Sequence, residues 1–249
     1  MVRALVTATG LLLAWEAATR LLALPFWILP PPSAVGLALW TRRDLLVLHA
    51  GITGLEIVLG LVAGVVLGVA TALLIVRFAV ARRWLLPLVI ASQAIPVFAL
   101  APLLVLWVGY GLASKIAMAA LIIFFPVAAN FFDGLRTTPP GWIELARTMG
   151  ARESAILFHM RIPAALPALA QGLRIAAAVA PIGAVIGEWV GSGAGLGYLM
   201  LHANGRMQID LLFAALAVLA AMAIALYYGL DAALRRLVPW QPETLKQTE

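Results

Sequence analysis

The sequence predicts an all-α membrane protein, a polytopic bundle of six transmembrane helices forming a single domain over residues 1–249. Composition and the length of the apolar runs carry that prediction. Of the residues, 64% are hydrophobic and only 11% charged, with a mean hydropathy of +1.04, where a soluble domain is about 45–50% apolar and about 25% charged. A globule of this size has too little interior to hide that surplus from water, which excludes a soluble enzyme or binding module. The apolar residues also run on continuously, in stretches of the roughly 20 residues that cross about 30 Å of hydrocarbon. A β-barrel would alternate apolar with polar positions instead. With no cysteine, disulfides and thiolate metal sites are excluded. His49, His159 and His202 lie far apart, without ligand spacing.

The elements follow in order from apolar runs broken by charges and turn residues. The first span covers residues 4–24. It starts beside Arg3 like a signal peptide, but it carries Glu16 and Arg20 and lacks a small-x-small cleavage site, so it reads as retained. Glu16 and Arg20, spaced i, i+4, are expected to pair. The second span, 51–76, carries Gly60, Gly64 and Gly68, a small-xxx-small face for close helix packing. The third and fourth spans cover 84–108 and 112–132, a polar stretch occupies 133–161, and the fifth and sixth spans cover 164–189 and 211–234. Pro87, Pro96, Pro102, Pro126, Pro167 and Pro181 fall inside spans, as kinks that either border a pathway or suit packing.

Charge sets the orientation. With the N-terminus in the cytoplasm, Arg20, Arg42, Arg43, Lys115 and Arg206 fall outside and the other twelve of the 17 basic residues fall inside. The positive-inside rule favours this arrangement, with both termini and the 133–161 stretch cytoplasmic. The net charge of +6 is then a topology signal and calls for no nucleic acid. Tryptophans near span ends, such as Trp15, Trp40, Trp107 and Trp189, form an aromatic belt. Polar groups within spans are costly and mark either a pathway or helix–helix hydrogen bonds. Glu56, Gln93, Asn130, Gln171 and Glu188, with Pro96, are the candidates for a pathway or gate.

The polar stretch holds a short helix of its own. Pro139 and Pro140 suit its start and Gly150 its stop. Trp142, Leu145, Ala146 and Met149 make one apolar stripe, with Glu144 and Arg147 off it. Two readings fit these residues alone: a helix resting at the lipid interface, or one that fills a groove on another protein.

Here the sequence resembles the permease subunits of bacterial binding-protein-dependent ABC importers. Their EAA loop reads Glu-Ala-Ala, three residues, Gly, nine residues, then Ile-x-Leu-Pro. This chain keeps that spacing from Glu144-Leu145-Ala146 through Gly150 to Met160-Arg161-Ile162-Pro163, a loop of about 138–163, with apolar replacements at Leu145, Met160 and Ile162. The segment Leu29 to Val35 resembles the nitrate/sulfonate/taurine branch, as do Gln93 to Pro96, Pro102 to Trp107, Ser114-Lys115, Phe124 to Pro126 and Gln171 to Ile175. The run Gly187 to Met200 is most similar to the thiamine-precursor, hydroxymethylpyrimidine-type permeases.

The resemblance implies a type I importer permease in the bacterial inner membrane. Two permease copies, expected to be a homodimer, form the pathway, ATPase subunits dock from the cytoplasm and a substrate-binding protein docks outside. Trp142, Ala146 and Met149 would then bury in the ATPase groove, Glu144 and Arg147 would pair at its rim, and Gly150 would set the angle of the helix. Leu145 and Pro163 complete the coupling set. ATP and Mg belong to the ATPase, because this chain has only Lys115 and Lys246 as lysines and neither follows glycine as a phosphate-binding loop requires. The glycine-rich run 191–197 lacks a lysine and the dinucleotide spacing. A secondary transporter would show inverted repeats and an ion-coupling constellation. An intramembrane enzyme would show a buried nucleophile or paired acids. Neither pattern is visible. Acids at Glu56 and Glu188 near the outer mouth favour a neutral or cationic pyrimidine over a sulfonate or nitrate.

Overall fold

In the structure, a computed structural model describing residues 2–92 and 95–240, every regular element is helical. In chain order these are α1 (Val2–Leu21), α2 (Pro32–Thr41), α3 (Arg43–Arg77), α4 (Ala79–Ser92), α5 (Val97–Val108), α6 (Leu112–Arg136), α7 (Pro140–Thr148) and α8 (Glu153–Ile156). A π-helical turn (Leu157–Arg161) runs into α9 (Ile162–Gly191), followed by α10 (Leu196–Gly205) and α11 (Ile209–Leu237).

Small residues decide where the helices meet. The helix α6 lies between α3 and α9 and touches both along much of its length. The glycine face of α3 sits against Ala119, Ile123 and Val127 of α6. A Cβ on Gly64 would stand 2.6 Å from Ile123 Cγ2, and one on Gly68 would stand 2.9 Å from Val127 Cβ. From the other side, a Cβ on Gly183 of α9 would stand 2.7 Å from Ala119 Cα, and one on Gly172 would stand 2.7 Å from the Pro126 carbonyl oxygen. Lipid is as apolar as leucine, so close backbone packing of this kind takes the place of hydrophobic burial in holding such helices together. Ala176, Ala180 and Ala184 of α9 fill the same core with Ile57.

A second core forms where α2, α10 and the starts of α3 and α11 converge, around Val35, Leu46, Leu196 and Ala214, with Trp15 of α1 packed on it. Glu16 pairs with Arg20 as the spacing requires, Arg20 Nε donating at 2.7 Å. The same carboxylate also accepts the Ser33 backbone N–H at 3.0 Å and its hydroxyl at 2.9 Å. It thus serves an open donor in the first turn of α2, which ties the proline-rich segment before α2 to α1.

The helices differ from the expected spans in four places. Residues 84–108 do not form one straight span: α4 and α5 are bent by 110° relative to each other. Pro96 directly precedes α5, and a proline disfavours helix at the residue before it and offers no N–H to continue a ladder. By length and composition four helical stretches can cross a membrane: α3, α6, α11 and the continuous run Glu153–Gly191; the bent pair raises the count to five. Of the six expected spans only α1, with its charges at Arg3, Glu16 and Arg20, is not among them. The second span begins at Arg43, well before residue 51. The fifth is helical from Glu153, so the end of the polar stretch belongs to it. The π turn ends two residues before Pro163, whose ring would otherwise press on the His159 carbonyl in a regular α-helix.

Candidate functional site

The short helix α7 is built as its residues dictate. Pro139 caps it in an extended conformation and Pro140 occupies its first turn, where a missing N–H costs nothing. At the far end Gly150 takes φ +80°, the left-handed conformation that glycine adopts without strain. Its N–H donates to the Arg147 carbonyl and that of Ala151 to the Ala146 carbonyl, both at 2.9 Å. This pair of bonds is the Schellman closure of a helix C-terminus. Nothing lies within 4 Å of a Cβ built on Gly150, so backbone conformation alone requires glycine there.

One face of α7 is apolar and uncovered. Trp142 is 55% exposed, Leu145 61% and Met149 79%, spaced i, i+3, i+7. Ala146 departs from the expectation: it is buried within this chain and is not available to a partner groove. It shares the helix face of Trp142 and Met149, but its small side chain lies on the edge of that face that the rest of the chain covers. Arg147 departs as well. Its Nε lies 2.8 Å from Glu153 Oε1, so it ties α7 to α8 while also feeling the charge of Glu144. That hydrogen bond holds the guanidinium above its ordinary pKa. Glu144 is exposed. Pro163 lines a cavity of about 550 Å³ beside α7, together with Trp142, His159, Met160 and Trp240.

Of the pathway candidates, Glu56 and Glu188 are brought together. Glu56 is 0% exposed and Glu188 1% exposed, so both acids are interior. Lys115 Nζ of α6 lies 2.7 Å from Glu56 Oε1, forming a buried ion pair. Glu188, near the end of α9, accepts the Thr53 hydroxyl at 2.6 Å and the backbone N–H groups of Gly197 at 2.5 Å and Tyr198 at 3.2 Å. Thr53 Oγ1 in turn accepts the Leu196 N–H at 2.7 Å, and His49 Nδ1 accepts the Gly195 N–H at 2.9 Å. The first N–H groups of a helix have no partner inside it. At α10 all four, Gly195 to Tyr198, are met by side chains of α3 and α9, with a carboxylate where the helix dipole favours negative charge. Gly195 has φ +117°, and a Cβ there would collide with the Glu188 carboxylate.

Among the other candidates, Asn130 spends its Nδ2 on the Pro126 carbonyl at 2.7 Å, Gln171 is exposed on α9 and Pro96 is exposed before α5. Gln93 lies outside the described residues. Sequence reasoning missed Thr53, His49 and Lys115 as members of one cluster. The available signal was the spacing of His49, Thr53 and Glu56 at i, i+4, i+7, a polar stripe on an otherwise apolar helix. Among the described residues no group of His, Asp or Glu is placed to hold a metal.

Comparison with known proteins agrees with this architecture. Residues 60–241 match the family described as "Binding-protein-dependent transport system inner membrane component". A probable ABC transporter permease protein of Haemophilus influenzae is 53% identical, over 92% of this chain and 93% of that protein. The formylaminopyrimidine transport permease protein ThiX of Halalkalibacterium halodurans is 35% identical over 93% of this chain and 92% of its own length. The taurine transport system permease protein TauC of Escherichia coli is 33% identical over 92% and 86%. In fold, the inward-facing MetNI methionine ABC transporter superposes with a TM-score of 0.68 at 23% identity, over 79% of this chain and 97% of the matched chain. With the family match covering most of the helical bundle, the chain belongs to the binding-protein-dependent inner membrane components, the permeases of ABC importers.

Proposed function

We propose that two copies of this chain enclose a pathway for a neutral pyrimidine of the thiamine-precursor class. A ligand-loaded binding protein delivers it on the outer side, and cytoplasmic ATPase subunits, which bind the ATP and Mg, drive its transport. Both termini and α7 face the cytoplasm, as the distribution of arginines favours. The observation that carries the coupling role is the uncovered stripe of Trp142, Leu145 and Met149 on a helix closed at both ends. Three large apolar side chains on a helix rigid enough to push are what helix-in-groove docking uses. Glu144 lies at the rim of that contact. Gly150 sets the angle of α7, and the Arg147–Glu153 pair carries its displacement into the long helix that begins at Glu153. Alternating access then follows from one equilibrium biased by nucleotide inside and by the loaded binding protein outside.

Burial removes Glu56 and Glu188 from the pathway surface, so these acids do not select a pyrimidine over an anion. Support for that substrate now comes from the likeness to the formylaminopyrimidine permease along almost the whole chain. Asn130, Gln171 and Pro96 stay as pathway candidates. The taurine permease relative favours a second reading, a sulfonate substrate.

Both readings are tested together. The permease and its ATPase are reconstituted in proteoliposomes with the cognate binding protein, and uptake of labelled formylaminopyrimidine and of taurine is followed in parallel. Formylaminopyrimidine is expected to accumulate only when ATP and binding protein are both present. Accumulation of taurine alone would move the substrate to the sulfonate class. Uptake that persists without the ATPase would overturn the importer mechanism.

A further inference from the structure

A pocket of about 250 Å³ opens where the start of α3, the end of α10 and the start of α11 meet. Arg42, Arg206, His202 and Gln208 stand in its wall, and its floor holds buried His49 beside Tyr198. The three rings run on from one another, His49 to Tyr198 at 6.2 Å and Tyr198 to His202 at 4.2 Å between centroids. Neither Arg42 nor Arg206 makes an ion pair among the described residues. The acids nearest in sequence are engaged elsewhere or absent from the wall: Asp44 lies 3.7 Å from Arg43, and Asp210 sits in the first turn of α11. Two unpaired guanidinium groups in one concave site form a receptor for a carboxylate, which Arg binds through charge-assisted, often bidentate hydrogen bonds.

Depth decides what can reach the pocket. At 1.5 Å per residue α3 is about 52 Å long, against about 30 Å of hydrocarbon and a headgroup layer of about 6 Å on each side. With Arg77 at the inner hydrocarbon boundary and α3 along the membrane normal, Arg42 stands past the outer headgroups, where a soluble partner can reach it.

We propose that this pocket anchors an acidic side chain of the docked binding protein, and so makes the outer face of the permease selective for a partner carrying a carboxylate at that place. The inference rests on the orientation and the importer reading given above. It also gives docking a direct route inward, because His49 in the pocket floor accepts the Gly195 N–H, one of the four groups that fix the start of α10.

The test is a titration of the reconstituted permease–ATPase complex, in phosphatidylethanolamine/phosphatidylglycerol liposomes, with ligand-loaded cognate binding protein. The reading is the concentration that half-maximally stimulates ATP hydrolysis. Arg42→Glu/Arg206→Glu is expected to raise it by about tenfold or more, the scale of placing like charges across an interface. Arg43→Glu, whose guanidinium lies over Trp40 outside the pocket, is expected to leave it in place. Arg42→Gln/Arg206→Gln, with its melting temperature measured beside the wild type, gives a smaller rise in a variant that carries no reversed charge. An unmoved curve for the double reversal, while the wild type responds, overturns the pocket alone. Equal shifts in Arg43→Glu and the double reversal also overturn it, in favour of diffuse surface charge. A shift reproduced in the wild type by removing phosphatidylglycerol overturns it in favour of a lipid headgroup. A wild type that no binding protein stimulates overturns the importer reading itself.

Discussion

At Glu188, a carboxylate in the middle of an apolar protein is held by one hydroxyl and two backbone N–H groups of the helix that follows it. Each bond lies in a dry site, where hydrogen bonds are strong and unmet donors expensive. Glu188→Ala leaves Thr53 and the first turn of α10 unsatisfied at once, and is expected to cost about 3 kcal/mol of stability. Thermal unfolding of the purified protein in detergent measures this, with Glu188→Gln as the companion that keeps one acceptor and removes the carboxyl group. Gln should fall between Ala and wild type; an Ala variant as stable as wild type would show that the contacts hold nothing. The same residue shows where sequence reading stops. Glu188 stood out as a polar group in a span, yet a pathway role and an internal hydrogen bond give the same letter in the chain. The partners that settle it, Thr53 and Gly197, come from another helix and from beyond a glycine loop.

At the level of elements, α7 was legible almost completely. Its prolines, its apolar stripe and its terminal glycine are local signals, and local signals act within one or two turns. What sequence could not supply was which side of the stripe the bundle would cover. Ala146 shares the apolar face with Trp142 and Met149, and only packing turned it inward. Gly150→Val is expected to leave insertion and assembly intact, because open space surrounds the position. Its φ of +80° costs a β-branched residue more than the 1–2 kcal/mol or so typical of the left-handed region, so the Schellman closure opens and α7 changes its angle. Uptake and binding-protein-stimulated ATP hydrolysis should fall together while expression is unchanged; retained stimulation would remove Gly150 from the coupling role. The third span shows the opposite case. Its apolar run of 25 residues read as one helix, and Pro96 read as a kink, but the structure turns by 110° there. A proline states that a ladder is interrupted, and the neighbours of the break decide by how much.

For the molecule as a whole, the orientation rests on the arginines and is open to a direct check. Single cysteines can be introduced freely, because the chain has none of its own. Cysteine replacing Ser154 near α7 is expected to react only with a membrane-permeant thiol reagent in intact cells. Cysteine replacing Asn204 near the outer pocket is expected to react with an impermeant one. The reverse pattern would invert the topology and with it the docking surface on α7.

Composition, run length and charge asymmetry determined by themselves that this chain lives in a membrane as a helical bundle, because those are summed properties to which every residue contributes independently of its neighbours. The glycine ladder of Gly60, Gly64 and Gly68 likewise announced a close helix contact, because a missing side chain has the same meaning wherever the helix packs. Only the tertiary structure decided what lies on the other side: Ala119, Ile123 and Val127 of α6 against those glycines, Lys115 against Glu56, and the start of α10 against Glu188. Pairings between groups far apart in the chain depend on where whole helices come to rest. The residues on either side of such a contact carry no local mark of the partner they will meet.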